Sequence, residues 1–406
     1  MTSHKTLSNK QPSDTTNVSS WGRSLPTPLR DALARSQLPA LDGLRAISVF
    51  LVIFYHLGIP NVPGAYGVVS FFVISGFLIT WLLLKEKERT GRISLGGFYK
   101  RRTLRIFPAF YVFWCFWVAA LLATHHPVPW DHAWSAFFYW SNYFNALNGD
   151  PNTGFSHTWS LAIEEQFYLI WPLVFLLLIR FPRRMGWVIA AAIAAVWLYR
   201  GVLVFWFQVD QGYRYAAFDT RFDALLVGCW LAVALRQGIA SSVWRWVTAS
   251  RVMPWLTVGL LALVTYADVL LPLTPSDYRD AFGLALVPVL VGVLIVQLIA
   301  FHDVRGWRWT SHPVVVFLGQ ISYPLYLYQQ VTLHPVRDAL SALPFAVAAL
   351  AAIAMTIAFA SASYYVVEKP FLKLKHVDLG QWWRDQLTLV TRLPHFGLRW
   401  LKSVGR

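Results

Sequence analysis

Arg45 and His56 stand eleven residues apart, in an otherwise apolar run that opens Leu41-Asp42-Gly43-Leu44-Arg45-Ala46. At about 100° per residue in a helix, eleven positions are close to three full turns. Both side chains therefore fall on one side of the helix, separated by about 16 Å along its axis. An imidazole titrates near neutral pH and is well suited to take a proton from a hydroxyl. A guanidinium can hold a phosphate through two parallel hydrogen bonds. Charge in hydrocarbon is costly, so such groups are expected to face a protein cavity. In the plainer reading, Arg45 reaches back to the headgroups on one membrane face and His56 ends its helix at the other. Spacing alone leaves both readings open.

Two further constellations flank apolar runs. In Phe98-Tyr99-Lys100-Arg101-Arg102-Thr103-Leu104-Arg105-Ile106-Phe107-Pro108-Ala109, Arg102 and Arg105 share a helix face. Paired guanidinium groups there can bind phosphate, or they can be an ordinary stop-transfer cluster. In His157-Thr158-Trp159-Ser160-Leu161-Ala162-Ile163-Glu164-Glu165-Gln166-Phe167-Tyr168, two carboxylates stand at the head of a span. Either they gain from the helix dipole, or Glu164 orients or charges a partner such as His56.

The elements that must position these residues are membrane helices. The chain is 56% hydrophobic and 14% charged, whereas a soluble domain carries about a quarter charged residues. Its 21 Trp fit an interfacial belt. Cys115 and Cys229 both sit in apolar runs and imply neither a disulfide framework nor a metal site. Runs long enough to cross a bilayer occur at about 41–59, 66–84, 106–123, 161–179, 186–207, 222–235, 253–271, 282–301, 313–331 and 343–365. The expected fold is an all-α polytopic bundle of about ten transmembrane helices. The segments on one side hold 29 of the 35 Lys and Arg, so both termini are expected to be cytoplasmic, in a multi-pass protein of the cell inner (plasma) membrane. The formal charge of +15 then meets anionic headgroups and needs no nucleic acid. Residues 1–38 are expected to form a disordered polar tail, with a short helix near Leu29–Leu38 and no cleavable leader. Residues 376–406 mix basic and aromatic residues and are expected to lie on the membrane as interfacial helix. The longest outer loop, 124–160, lacks Lys and Arg but holds His125, His126, His132 and His157 among aromatic residues. It suits a sugar face or plain interfacial anchoring.

Taken together these motifs resemble the acyltransferase-3 family of membrane acyltransferases, the O-acetylases of lipopolysaccharide, peptidoglycan and other glycans. The Arg45/His56 pair is similar to the family's signature. Val69-Ser70-Phe71-Phe72-Val73-Ile74-Ser75-Gly76-Phe77, Arg102-Thr-Leu-Arg105, Trp159-Ser160-Leu161 with Glu164 and Gln166-Phe167-Tyr168, and Thr220-Arg221-Phe222-Asp223 follow in the family's order. Gly319-Gln320-Ile321-Ser322-Tyr323-Pro324-Leu325-Tyr326-Leu327 and Val367-Glu368-Lys369-Pro370-Phe371 close the series, so the likeness runs from about 37 to 375, and 39–375 is expected to form one membrane acyltransferase domain. Many members carry a histidine after the Tyr-Leu of the ninth span, where this chain has Tyr328-Gln329-Gln330. No hydrolase-like C-terminal domain is expected.

The resemblance implies transfer of an acyl group, taken to be acetyl, from cytoplasmic acyl-coenzyme A to a hydroxyl of an extracytoplasmic carbohydrate or glycolipid, with no permanently bound cofactor. His56 would be general base or acyl carrier, Arg45 its signature partner and Glu164 the orienting carboxylate. Arg102, Arg105 and Arg45 would hold the coenzyme. Trp159, Tyr168, Arg221, Asp223 and Tyr323 would structure the acceptor side. Two other classes stay open: a transporter or flippase of lipid-linked sugars, which the lack of an internal repeat disfavours, and a family relative without catalysis, which the intact Arg45/His56 pair disfavours.

Overall fold

The computed structural model describes residues 24–374, apart from 36, 271 and 272. The described residues form helices joined by turns and loops, with no strand among them. The principal helices are α1 (Thr27–Ala34), α2 (Pro39–His56), α3 (Gly64–Thr90), α4 (Leu95–Ala123), α5 (Thr158–Leu178), α6 (Pro182–Phe205), α7 (Asp223–Gln237), α8 (Leu284–Phe301), α9 (Ser322–Ala339) and α10 (Phe345–Ser363). Among the described residues, seven helices are long and apolar enough to cross a membrane: α2 to α6, α8 with its lead-in from Pro275, and α10 with its continuation to Lys373.

The three remaining expected spans are less regular. The sixth is α7, bent by 104° into Ser241–Val247, and the seventh is the 13-residue helix Met253–Thr265. The ninth is broken at Ile321, between Pro313–Gln320 and α9. α4 starts at Leu95, well before the apolar run at 106, because Ser94 caps it: its hydroxyl accepts a hydrogen bond from the Gly97 amide at 3.1 Å. The basic stretch 100–105, expected on a helix face, is therefore part of the same helix as the apolar run that follows it.

Large apolar side chains cover the outside of the bundle, Trp187, Leu198 and Trp206 being 77%, 72% and 82% exposed. Such a surface is stable against hydrocarbon rather than water. At the centre, α3 and α7 cross with their backbones in contact. A methyl group at Gly76 would overlap the Leu225 carbonyl, and one at Gly228 would overlap that of Val73. This is the small-residue packing that membrane helices use where apolar burial drives no association. The short helix expected in the N-terminal tail is α1, and its Leu29, Ala32 and Leu33 are buried. This part of the 1–38 tail is folded rather than disordered, because three apolar side chains at one-turn spacing cover the bundle. Residues 1–23 of that tail and the interfacial helix expected at 376–406 lie outside the described residues.

The 124–160 loop folds as two short helices, Trp130–Phe137 and Ser141–Asn148, laid across the ends of α4 and α5. Trp114 Nε1 donates to the Ala133 carbonyl at 2.7 Å, and Gln166 Nε2 donates to the Tyr139 carbonyl at 2.9 Å. His132 stacks on Phe144 and its Nδ1 bonds Thr153 Oγ1 at 2.8 Å. Burial holds this imidazole down to about 4, so it serves the loop's packing as a neutral ring.

Asp223 opens α7 inside a buried polar knot. Its Oδ2 pairs with Arg200 Nη1 at 3.1 Å and accepts from Trp197 Nε1 at 2.9 Å, and both charged side chains are essentially fully buried. Arg200 also donates to the Thr220 carbonyl at 2.7 Å. Removing one partner of a buried pair leaves the other charge uncompensated, which costs about 3–5 kcal/mol. Asp223→Asn is therefore expected to lower the thermal midpoint of the detergent-purified protein sharply. An unchanged melting curve would mean that the pair is not structural.

Candidate active site

Six of the residues singled out in the sequence line one cavity of about 590 Å³: Arg45 on α2, Arg102 and Arg105 on α4, Glu164 and Tyr168 on α5, and Tyr323 on α9. The helices run so that the starts of α2, α4 and α9 meet at one end of the bundle. This brings Arg45, eleven residues before His56, to the Arg102/Arg105 pair. Arg102 lies over the Tyr168 ring, its guanidinium carbon 4.7 Å from the centroid. Tyr323 donates to the Ile106 carbonyl at 3.1 Å, tying α9 to α4 just beyond the arginines. At the outer edge of this end, the exposed Arg101 pairs with Glu86 at 2.7 Å.

The cavity wall carries Arg45, Arg101, Arg102 and Arg105 against Asp42, Glu164, Glu165 and Glu368. Glu368 lines it where the backbone after α10 passes through a π turn, Tyr364–Glu368, the kind of local bulge that is frequent at functional sites. Glu164 does not meet His56, the partner expected for it. Its Oε1 accepts a hydrogen bond from Ser75 Oγ at 2.6 Å. Glu164 sits almost two turns into α5, so it points into the arginine cavity, while the head of that helix lies beside His56.

His56 stands beyond the other end of the cavity, at the C-terminus of α2, in a directional chain of hydrogen bonds. Its Nδ1 lies 2.9 Å from the Val52 carbonyl, which can only accept, so Nδ1 carries the proton. Nε2 then presents the lone pair, and the Gln330 side-chain amide donates to it at 3.2 Å. The amide oxygen of Gln330 accepts in turn from His157 Nδ1 at 3.1 Å. Both imidazoles are thus held as defined neutral tautomers by one carboxamide. Burial pushes His157, which lies just before the α5 span, down to about 4.

A second contact joins this chain to the cavity. Tyr326, which lines the cavity with Ser160, donates to the His157 carbonyl at 3.0 Å and lies 2.7 Å from Ser160 Oγ. The cavity and the histidine chain are therefore joined through Tyr326 into one path of polar contacts.

The remaining expected residues stand around this path. Trp159 and Arg221 form a layer behind the cavity wall, with the Arg221 guanidinium carbon 5.5 Å from the Trp159 ring centroid. Asp223 belongs to the Arg200 knot and does not line the cavity. Sequence reasoning did not select His157, Gln330, Ser75, Tyr326 or Glu368 as site residues. For Gln330 the signal was present, two adjacent carboxamides in an apolar span. Glu368 and Ser75 both lay inside quoted motifs.

The acyltransferase domain of the acyltransferase-3 family matches residues 38–365. Peptidoglycan O-acetyltransferase OatA of Listeria monocytogenes is 31% identical over 402 residues, covering 92% of this chain and 61% of that protein. O-acetyltransferase OatA of Staphylococcus aureus is 32% identical over 314 residues, covering 72% of this chain and 50% of that protein. The chain thus spans between half and about three-fifths of the length of these relatives. No solved structure matches it. With the family's domain running through nearly all of the described helices, the chain belongs to the acyltransferase-3 family of membrane acyltransferases.

Proposed function

We propose that this protein is an O-acetyltransferase of the cell inner (plasma) membrane, moving acetyl from cytoplasmic acyl-coenzyme A to a hydroxyl of an extracytoplasmic carbohydrate, a cell-wall polymer as for the named relatives. In this reading the chain crosses the membrane ten times and both termini are cytoplasmic. The observation that carries the proposal is the polar path itself: three arginines of the sequence motifs at one end and a histidine with a defined lone pair at the other.

Arg45, Arg102 and Arg105 hold the phosphates of the coenzyme, and the pantetheine arm extends toward Tyr326 and Ser160. The acceptor enters from the opposite side and its hydroxyl displaces the Gln330 amide from His56 Nε2. As the hydroxyl oxygen attacks the thioester carbonyl, its proton passes to Nε2. The tetrahedral intermediate collapses by breaking the carbon–sulfur bond, and the imidazolium returns the proton to the departing thiolate. The charged imidazole is stabilised by the Val52 carbonyl, already in contact with Nδ1. Glu164 stays on the donor side, where its carboxylate keeps neighbouring guanidinium groups aligned.

The test is acetyl transfer from acetyl-coenzyme A by the purified protein in nanodiscs, compared with Arg102→Lys/Arg105→Lys. Lysine keeps the charge but not the two-pronged geometry. The double variant is expected to raise KM for acetyl-coenzyme A by on the order of tenfold or more, with kcat little changed, as for lost ground-state contacts worth about 1.5–3 kcal/mol each. Absence of transfer by the unaltered protein would refute the proposal in favour of a transporter, and an unchanged donor KM would return the arginines to a stop-transfer role.

A further inference from the structure

Arg221 is 2% exposed, and none of its three guanidinium nitrogens has a hydrogen-bond partner among the described residues. Its surroundings are aromatic. The guanidinium carbon lies 5.0 Å from the Tyr215 ring centroid, 5.5 Å from that of Trp159 and 6.0 Å from that of Phe72. Ring faces attract a cation, but they do not replace the hydrogen bonds that five N–H groups lose on leaving water.

The nearby carboxylates are all engaged elsewhere. Asp223 is paired with Arg200, Asp277 with Arg214, and Asp280 with Arg279 and Arg214. Asp219 accepts from the hydroxyls of Tyr143, Tyr199 and Tyr213. Arg221 is therefore the guanidinium of this layer that no carboxylate answers. A buried cation left in that state is strongly destabilising, and the planar fork it presents is matched by a two-oxygen anion.

The position points to where such an anion comes from. Phe72 lines both the cavity and the Arg221 cage, and Trp159 precedes Ser160 of the cavity wall. The cage thus lies one side chain behind the end of the cavity nearest His157. It is also the end away from Arg45, Arg102 and Arg105, so the phosphates of a coenzyme held by them are not the anion that answers Arg221.

We propose that Arg221 anchors an anion-binding subsite for the acceptor, taking a carboxylate or phosphate group of the incoming glycan on its fork after Phe72 or Trp159 swings aside. The inference rests on the reading of the chain as a carbohydrate O-acetyltransferase. The aromatic cage keeps the guanidinium extended and unpaired until the acceptor arrives, and so couples acceptor charge to its placement beside His56.

The experiment measures binding with no acyl donor present, so its failure is separable from failure of the transfer reaction. Full-length protein in nanodiscs is titrated with three probes: a uronic-acid oligosaccharide, its methyl ester, and a neutral oligosaccharide bearing a 1-phosphate. The unaltered protein is expected to bind one anionic probe on the order of tenfold or more tighter than the neutral ester, and which one it prefers identifies the anion. In Arg221→Gln that preference should vanish while affinity for the neutral ester is kept. Arg221→Lys, which keeps the charge and serves should the Gln variant not fold, should reduce the preference several-fold. Equal affinity for all three probes, or a preference that persists undiminished in either variant, overturns the proposal.

Discussion

His56→Gln is expected to lower acetyl transfer by on the order of 10²-fold or more, with binding of the acyl donor intact. The substitution is the severe one because it keeps nearly everything except the chemistry. Glutamine has similar reach, and its amide can still donate to the Val52 carbonyl and meet Gln330. It cannot take a proton from an attacking hydroxyl or carry an acetyl group. The donor contacts are predicted to lie at the arginine end, about three helical turns away along α2. The check is kcat and the donor Kd measured on membranes with matched expression. Near-normal transfer by His56→Gln would make the residue a helix end-cap and remove both the base and the acyl-carrier schemes. A weakened donor Kd would instead mean that the two ends of the path are not separate sites.

Gly76→Val is expected to abolish the folded protein altogether. Adding apolar bulk to a packed core costs about 1–3 kcal/mol when side chains can shift. Here the obstacle is the Leu225 main chain, with its carbonyl directly against the glycine, and a helix backbone cannot rotate away. The reciprocal contact of Gly228 with Val73 means that the α3–α7 crossing has no slack on either side. Gly259→Val is the control, since that glycine faces open space. Size-exclusion profiles of detergent extracts should show a monodisperse peak for the control and none for Gly76→Val. A normal peak for Gly76→Val would mean that the two helices do not touch as described.

The sequence by itself determined the class of the fold, because a run of apolar residues about one bilayer long has no stable form in hydrocarbon except a helix. It also marked Arg45, since charge in such a run is improbable without a cavity to face, whereas Arg102, Arg105, Glu164, Tyr168 and Tyr323 gained their site roles from the resemblance of their motifs to the family's. The start of α4 lay further out than the apolar run, because helix formation depends on capping and backbone bonding and does not stop where hydrophobicity does. The broken ninth span and the bent sixth were likewise invisible to hydrophobicity, which measures burial and not direction. What only the tertiary structure decided is which polar groups meet. The bond of Gln330 to His56 joins residues 274 positions apart, and that of His157 to Gln330 joins residues 173 apart. Glu164 meets Ser75 instead of His56, and Asp223 meets Arg200. Such pairings follow from how the helices rotate and slide against one another, and that is set by close contacts such as Gly76 on Leu225. A local residue pattern records which face of a helix is polar, but the neighbour that face finds depends on the packing of the whole bundle.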